Sequence, residues 1–318
     1  MNAGDFLADL EEKPAALERL AAALDAGNPF AAVPRDVDRV LFLGMGSSRY
    51  AAVDAALDLR AAGIAAAAEY ASVEASFPPD PRTLVVAISA SGESAETLDA
   101  LERYRDRSPI LVITNVRDSS LGRTDASVVE LLAGEERGGV ACRTYLHTAL
   151  LLRALGAHLT GIPEDLAGLA RRVAAASAEL LRTRNLWLPR VAEALETSSP
   201  VFLIAAADHI ATAEQGALMI REGPRRPAVA CETADWAHVE VYLTKTLDYR
   251  ALFFPGSRWD EQALDWLRKR KATIVAVGGR PSGARLAVEF PGSGDPDIAR
   301  YAAVLVPELI AAQWWSGA

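Results

Sequence analysis

The sequence predicts an α/β protein made of two tandem, doubly wound parallel-sheet domains related by internal duplication. Short apolar runs of strand length alternate with amphipathic stretches of helix length, which is the pattern of βαβ units in a parallel sheet. The second half of the chain replays this order at offsets between 160 and 166 residues. Of the 318 residues, 51% are apolar, as in an ordinary globular protein of one large or two medium domains.

The first half begins with a helix and continues with four strands. Residues 5–27 space their apolar side chains with helical periodicity and stop at Gly27. Helices are predicted between the strands, and a long helix is predicted at about 140–159. The predicted strands are 39–48 (including a Gly-Ser turn), 84–89, 109–115 and 126–131.

The second half follows the same plan after a helical stretch at 165–197. A strand and a helix are predicted over 200–223, a strand and a Gly-Ser turn over 249–257, and a further strand over 273–279. Because doubly wound folds are repetitive in themselves, they can imitate a duplication. The predicted domains are an N-terminal helix plus first domain at 1–160, a helical connector at 161–198 and a second domain at 199–318.

Composition excludes several classes of partner and cofactor. The net charge of −9 and the lack of a Lys/Arg run argue against a nucleic-acid partner. Cys142 and Cys231 have neither the number nor the spacing of a disulfide framework or a zinc site. The acidic N-terminus is unlike a signal peptide, and the apolar run 61–68 is too short to span a membrane. We therefore expect a cytoplasmic protein without a membrane partner, a metal or a cofactor.

A hydroxyl-rich turn at 88–101 is the first functional signal. Ser89, Ser91, Ser94 and Thr97 lie where a predicted strand passes into a helix. Such residues are good helix N-caps, so the cluster is explained by capping alone. A helix N-terminus with clustered hydroxyls and a glycine also suits a phosphate. The residues by themselves leave both interpretations open.

Several motifs together resemble the sugar isomerase (SIS) domain family, whose domains have a flavodoxin-like fold. The strongest pair is LFLGMGSSRYAA at 41–52 and the SASGE motif at 89–93, each at the end of a strand. The likeness continues through AGEERGGVACRTY at 133–145 and into EQGALMIREG at 214–223 and ETADWAH at 232–238. The order resembles the isomerase half of glutamine–fructose-6-phosphate aminotransferase and free-standing sugar-phosphate isomerases and deaminases.

The resemblance implies that the hydroxyl-rich turn holds a substrate phosphate. Relatives often carry Gln at the position of Ala90 and Thr at that of Ser94. Loop 205–211 of the second half has no serine, so a second phosphate site is not expected there. The phosphate-binding residues implied are Ser48, Ser89, Ala90, Ser91 and Ser94, and weaker substrate contacts are implied for Gly46, Ser47 and Glu136.

The resemblance also implies two catalytic residues. Glu222 matches the base that carries a proton between C1 and C2, and His238, sixteen residues later, matches the ring-opening histidine. In the family that histidine reaches the site of a neighbouring subunit, so we expect a homodimer with shared active sites. The flanks of His238 lack the Gly-Pro that commonly follows this histidine.

Other positions depart from the aminotransferases. Met219 stands where those enzymes have Lys, and we expect neither their C-terminal tail Lys nor their glutaminase domain. Lys245 is a possible substitute amine, although most lysines are surface charges. Arg143 falls where relatives carry Lys or Arg.

We therefore expect a sugar-phosphate isomerase or an amino-sugar-6-phosphate deaminase without glutaminase activity. A fructosamine-phosphate deglycase is an alternative with similar chemistry. A sugar-phosphate sensor without chemistry is a second alternative. The sequence does not name the sugar.

Overall fold

The computed structural model describes residues 2–317, which form two compact units. The first unit comprises Ala16–Glu135 and Arg143–Ala170. The second comprises the chain up to Ala15, the loop Glu136–Cys142 and the chain from Arg171 onward. The N-terminal residues and loop 136–142 therefore pack with the second sheet. The sequence-derived boundaries at 160 and 198 stay a prediction.

The elements alternate along the chain as the sequence predicts. The helices are α1 (Ala3–Glu11), α2 (Lys13–Ala26), α3 (Ser47–Ala61), α4 (Ala95–Glu102), α5 (Arg143–Thr160), α6 (Leu166–Ala194), α7 (Ile210–Glu222), α8 (Thr233–Trp236), α9 (Asp260–Lys269), α10 (Pro296–Ala302) and α11 (Leu305–Ser316). The strands are β1 (Arg39–Gly44), β2 (Ala65–Tyr70), β3 (Thr83–Ile88), β4 (Ile110–Thr114), β5 (Ser127–Glu130), β6 (Val201–Ala205), β7 (Ala228–Glu232), β8 (Arg250–Phe254), β9 (Thr273–Val277) and β10 (Leu286–Val288).

Each unit contains one five-stranded sheet in which all neighbouring strands are parallel. The strand order is β2-β1-β3-β4-β5 in the first unit and β10-β9-β8-β6-β7 in the second. Counted within its own half, each sheet has the order second, first, third, fourth, fifth. The prediction of an α/β fold with parallel sheets is confirmed, and the equal strand order supports internal duplication, which stays a prediction.

The central strands are buried at nearly every position, because helices cover both faces of a parallel sheet. All six residues of β3 are buried, which explains the uninterrupted apolar run in the sequence. Gly44 ends β1 where α3 approaches closely, since a Cβ there would lie 3.0 Å from Ser48 Cβ and 3.2 Å from the Arg49 nitrogen. The turn into α3 therefore favours glycine at this position.

Two features differ from the sequence prediction. The single helix expected over 5–27 is two helices, α1 and α2, which part at Glu12. Pro14 explains the break, because proline has no N–H to donate and is accepted only in the first turn of a helix. The strands β2, β7 and β10 are not predicted. The sequence of β2 is AAAAEY, whose alanines favour helix, so pairing with β1 determines its conformation.

Candidate functional site

The serine-rich loop after β3 is a preorganised turn. Ser89 is buried, and its hydroxyl accepts the Gly92 N–H at 3.1 Å. Gly92 has φ +69°, and a Cβ on it would lie 1.9 Å from Ser119 Oγ, so the loop needs glycine here. The Ala90 carbonyl accepts the Asn115 N–H at 3.1 Å, which ties the loop to the end of β4. The backbone of the loop is therefore fixed without a ligand.

The hydroxyls of this loop differ in their exposure. Ser91 is exposed, and its Oγ accepts the Glu93 N–H at 3.3 Å. Ser94 is the N-cap of α4, because its Oγ accepts the Thr97 N–H at 3.3 Å. Thr97 is buried and donates its own hydroxyl to Ser94 at 3.0 Å. Capping and phosphate binding are thus compatible, since Ser91 at the rim is open to a ligand while Ser94 begins the helix.

Glu93 connects the serine-rich loop to the next loop along the sheet. Its carboxylate accepts the Ser120 hydroxyl at 2.6 Å and the Ser120 N–H at 2.8 Å. These two hydrogen bonds lower the pKa of Glu93. The sequence did not predict this contact, although an acidic residue within a hydroxyl-rich turn is a signal for such a role.

The Gly-Ser turn after β1 lies beside the serine-rich loop. β1 and β3 are paired in parallel, with Leu43 opposite Ala87, so the loops after them leave the same edge of the sheet side by side. Gly46 has φ +49° and precedes α3, whose first residues are the half-buried Ser47 and Ser48. This edge between β1 and β3 is the topological switch point of the first sheet, where open α/β folds bind ligands. The structure thus brings the predicted phosphate-binding residues together.

Glu222, the predicted base, is the last residue of α7 in the second unit. The next residue, Gly223, lies against α11, where a Cβ would be 2.9 Å from Trp315 Cε3. Neighbouring atoms partly withdraw the carboxylate from water, which raises the pKa of Glu222, and the Arg221 charge opposes this shift. A carboxyl group with a raised pKa at an accessible helix end suits proton transfer.

Glu136 lies in loop 136–142, which packs on α7. The Glu136 carboxylate accepts the Cys142 N–H at 2.7 Å within the loop. Gln215, fully buried on α7, donates from Nε2 to the Ala141 carbonyl at 2.7 Å. Loop and helix are therefore joined, and the helix carries Glu222 seven residues further on.

His238 lies far from Glu222 within the second unit. α7 runs back from the carboxyl edge of the sheet for 13 residues, about 20 Å, so Glu222 lies at the amino edge. β7 returns to the carboxyl edge, ends at Glu232, and His238 follows after α8. His238 is exposed, and its N–H donates to the Asp235 carbonyl at 2.8 Å. The structure therefore does not bring the two predicted catalytic residues of one chain together.

The corresponding loops of the second sheet have a different chemistry. After β8, the Asp260 carboxylate accepts the Gly256 N–H at 2.8 Å and the Ser257 N–H at 3.2 Å. The protein's own carboxylate therefore occupies donors that an anion would need. After β6, His209 begins α7 without a side-chain capping bond. These contacts give no support to a second phosphate site.

Met219 and Lys245, the other two candidate positions, both have contacts that explain them without a substrate. Met219 is fully buried in α7. The Lys245 ammonium lies 5.4 Å above the Tyr242 ring, which is a surface cation–π contact.

Within residues 2–317, no helix combines the length and apolar character needed to cross a bilayer. The same part of the chain has no group of three or more His, Cys, Asp or Glu side chains that could hold a metal ion.

Sequence reasoning also missed a buried ion pair between Lys13 and Glu308. Both side chains are almost fully buried, at 1% and 0% exposure. The signal was present in the sequence, because Glu308 is the one acidic residue in the apolar helix α11. Lysine and glutamate are rarely buried without a partner, so such a residue calls for one.

Comparison with known proteins identifies part of the chain. The family described as SIS domain matches residues 35–157. Residues 35–157 are an SIS domain. This SIS domain contains the Gly-Ser turn, the serine-rich loop and Glu136, whereas Glu222 and His238 lie outside the matched range.

Curated and solved relatives agree with this result. The glutamine–fructose-6-phosphate aminotransferase of Gloeobacter violaceus is 32% identical over 268 residues, which are 80% of this chain and 44% of that protein. The chain thus spans less than half the length of this relative. The tagatose-6-phosphate ketose/aldose isomerase of Escherichia coli has a TM-score of 0.81 at 16% identity, covering 100% of this chain and 95% of that one. The glucosamine-6-phosphate deaminase of Thermotoga maritima has a TM-score of 0.74 at 16% identity, covering 98% and 94%. The two solved structures share the fold.

Proposed function

We propose that the chain is a sugar-phosphate isomerase or an amino-sugar-6-phosphate deaminase that moves a proton between C1 and C2 of a ring-opened phosphosugar. The observation that carries this proposal is the pair of hydroxyl-bearing loops, side by side at the switch point of the SIS domain. In these loops Ser48, Ser89, Ser91 and Ser94 with the Ala90 backbone bind the phosphate. Gly46, Ser47 and Glu136 contribute to substrate binding.

Hydroxyls and backbone N–H groups suffice for such a site. The dipole and N–H groups of α4 favour an anion at its N-terminus. The loop backbone is already held by its own hydrogen bonds, so little conformational entropy is lost when the ligand binds. The unphosphorylated sugar lacks the group that these donors recognise, so it binds poorly.

Glu222 is the proposed proton carrier. Isomerisation and deamination both pass through an enediol or enolamine, whose formation removes a proton from carbon. One carboxylate serves abstraction and return when its pKa is raised toward neutrality, and partial burial shifts the pKa of Glu222 in that direction. Gly223, the residue after Glu222, packs closely against the Trp315 ring.

His238 is the proposed ring-opening group, supplied to the site of a second copy of the chain. Glu222 and His238 of one chain lie at opposite edges of the second sheet, so they cannot act on the same substrate. This separation supports a site that takes His238 from another copy of the chain. Exposed apolar side chains follow His238 directly, with exposures of 54% for Val239, 63% for Tyr242 and 40% for Leu243. An exposed apolar patch of this kind is typical of a protein interface. A homodimer buries the patch and completes the site.

The similar proteins favour the two activities without choosing between them. The solved structures with the same fold include an enzyme named as an isomerase and one named as a deaminase. A deglycase acting on a fructosamine phosphate uses the same proton transfer. A sensor without chemistry keeps the serine-rich loops and needs neither Glu222 nor His238.

A ligand panel tests the proposal. Hexose and hexosamine 6-phosphates are first screened by thermal shift, together with their unphosphorylated forms. Hits are then assayed for aldose–ketose conversion and for ammonium release. Conversion without ammonium identifies an isomerase, and ammonium release from a hexosamine phosphate identifies a deaminase. Binding without turnover of any phosphosugar contradicts the enzymatic proposal and favours the sensor.

A further inference from the structure

A buried ion pair joins the first residue of α2 to α11, directly after α1 ends. Lys13 is the first residue of α2, and its ammonium donates to the Glu308 carboxylate on α11. Lys13 also lies at a helix N-terminus, where the helix dipole disfavours a positive charge. Neither its position nor its burial is explained by helix formation.

Loop 136–142 packs on α1, the helix that ends two residues before Lys13. The Gly138 N–H donates to the Asp9 carboxylate on α1 at 2.7 Å. A Cβ on Gly138 would lie 2.6 Å from Phe6 Cα, so the loop backbone packs directly on α1. With the Gln215 contact described above, the loop is held by α1 on one side and by α7 on another.

The charges of this cluster act on one another. Burial raises the pKa of Glu308 to about 7, while the Lys13 charge opposes and the Glu136 charge adds to the shift. Burial also raises the pKa of the Cys142 thiol, to which Glu136 and Glu308 contribute and which Lys13 opposes. Glu136 therefore accepts the Cys142 N–H, and its charge shifts the pKa of Glu308 in the same direction as burial does.

Stability alone is a poor reason for this pair. Replacing a buried ion pair with apolar side chains of similar volume is often neutral or stabilising, because both charges must be withdrawn from water. Within residues 2–317, the Oε1 atom of Glu308 is buried without a hydrogen-bond partner, which adds to the cost. An apolar pair would join α2 to α11 equally well.

We propose that Lys13 and Glu308 are a positioning pair, which fixes the conformation of loop 136–142 and thereby the placement of Glu136 for the substrate. The inference rests on the proposed function for the part that concerns substrate. Its structural part, the ordering of the loop, is independent of any activity.

The test compares a double variant, Lys13→Met with Glu308→Leu, with the wild type. The double replacement is chosen because either single change leaves a buried charge without its partner and risks misfolding. Arg184→Met is the control, since Arg184 is half-buried, pairs with Glu11 on α1 at 2.6 Å and lies outside the loop. The measurements are the melting temperature, hydrogen exchange of peptides across the chain, and kcat and KM on the phosphosugar found in the panel.

We expect the double variant to melt within a few degrees of the wild type. Amide exchange in loop 136–142 should accelerate at least tenfold, with other peptides of the second unit unchanged. The value of kcat/KM should fall at least tenfold, and the Arg184→Met variant should show neither change. These three results together support a positioning pair.

Three results overturn the inference. If amide exchange in loop 136–142 is the same in the double variant and the wild type, the ion pair contributes to stability only. Accelerated exchange throughout the second unit shows general loosening. Faster loop exchange with wild-type kcat/KM separates the loop from catalysis. If the wild type turns over no phosphosugar, the proposed function fails, while the exchange comparison still decides whether the pair orders the loop.

Discussion

Gln215 and Ala141 are joined by a hydrogen bond of 2.7 Å from the side-chain amide to the backbone carbonyl. This bond fastens the loop that carries Glu136 to the helix that ends at Glu222. The two acidic residues singled out from the sequence for substrate binding and proton transfer therefore belong to one packed assembly of loop and helix. Disturbing this bond should affect both.

Replacing Gln215 with Ala should destabilise the protein and reduce its activity. The change removes the hydrogen bond to the half-buried Ala141 carbonyl, which costs about 0.5–1.5 kcal/mol in the free energy of unfolding. We expect kcat/KM to fall about tenfold, because the loop loses its anchor. Urea unfolding and steady-state kinetics measure the two effects.

Thr212→Val is the matched control for this prediction. Thr212 is also buried on α7, and its hydroxyl donates to the Arg300 carbonyl at 3.2 Å, away from loop 136–142. The Thr212→Val variant should lose stability without a comparable loss of activity. Equal losses of activity in both variants would show that helix stability, rather than the loop contact, matters.

Ser48→Ala and Ser91→Ala should each weaken binding of a sugar 6-phosphate and leave the fold intact. Each change removes one hydroxyl donor to a charged group, at a cost of about 1.5–3 kcal/mol in binding free energy. Calorimetry on the best phosphosugar of the panel measures the effect. Ser108→Ala is the control, since Ser108 contacts Asp80 and lies before β4, at the amino edge of the first sheet. Unchanged affinity in the Ser48/Ser91 double variant would place the phosphate elsewhere.

The Lys13–Glu308 pair predicts a specific pH dependence of stability. Burial raises the pKa of folded Glu308 from its ordinary 4.5 to about 7, so between these values the folded state binds a proton that the unfolded state has released. The contribution of Glu308 to the free energy of unfolding therefore decreases as pH rises through this window, by about 3 kcal/mol in all. The Lys13→Met, Glu308→Leu variant lacks this slope.

Urea unfolding at pH 5, 6 and 7 checks that prediction. The wild type should lose more stability across the series than the double variant does. The Arg184→Met protein should keep the wild-type slope, because it retains Glu308. Parallel slopes in all three proteins would mean that Glu308 is ionised throughout the series.

Subunit mixing tests the role proposed for His238. Glu222→Gln and His238→Ala proteins should each be inactive, and their mixed dimers should regain part of the activity because one of the two sites contains both intact residues. Subunit exchange is demonstrated first with differently tagged chains. Inactive mixed dimers would rule out a site shared between subunits.

The fold was predictable in outline from apolar patterning. β3 and its neighbours are buried on both faces, so their apolar runs are clear in the sequence. β2 was missed because an alanine-rich edge strand carries no strand signal of its own and depends on β1 for its conformation. The break between α1 and α2 follows from Pro14, whose effect the helical periodicity around it concealed.

The sequence indicates candidate site residues most clearly where they form a contiguous motif. The serine-rich loop was singled out because its hydroxyls are close together in sequence. The structure adds the hydrogen bond between Ser120 and Glu93, which lie 27 residues apart in two different loops. The lone acidic residue of α11 indicated that Glu308 needs a partner, but the identity of that partner was not predictable because Lys13 lies 295 positions away. Contacts of that range depend on tertiary packing, which no local pattern encodes.

Exchange of the substrate's C2 proton with deuterated solvent tests the central claim most directly. Glu222→Gln keeps the serine-rich loops and therefore the affinity for phosphosugar, but it lacks the carboxylate that accepts the proton. NMR should show C2 exchange in the wild type and a rate lower by about 10²–10⁴-fold in the Glu222→Gln protein, the usual contribution of general acid–base catalysis. Exchange at the wild-type rate in the Gln variant, or none in a wild type that binds the sugar phosphate, would contradict the assignment of Glu222 as the proton carrier.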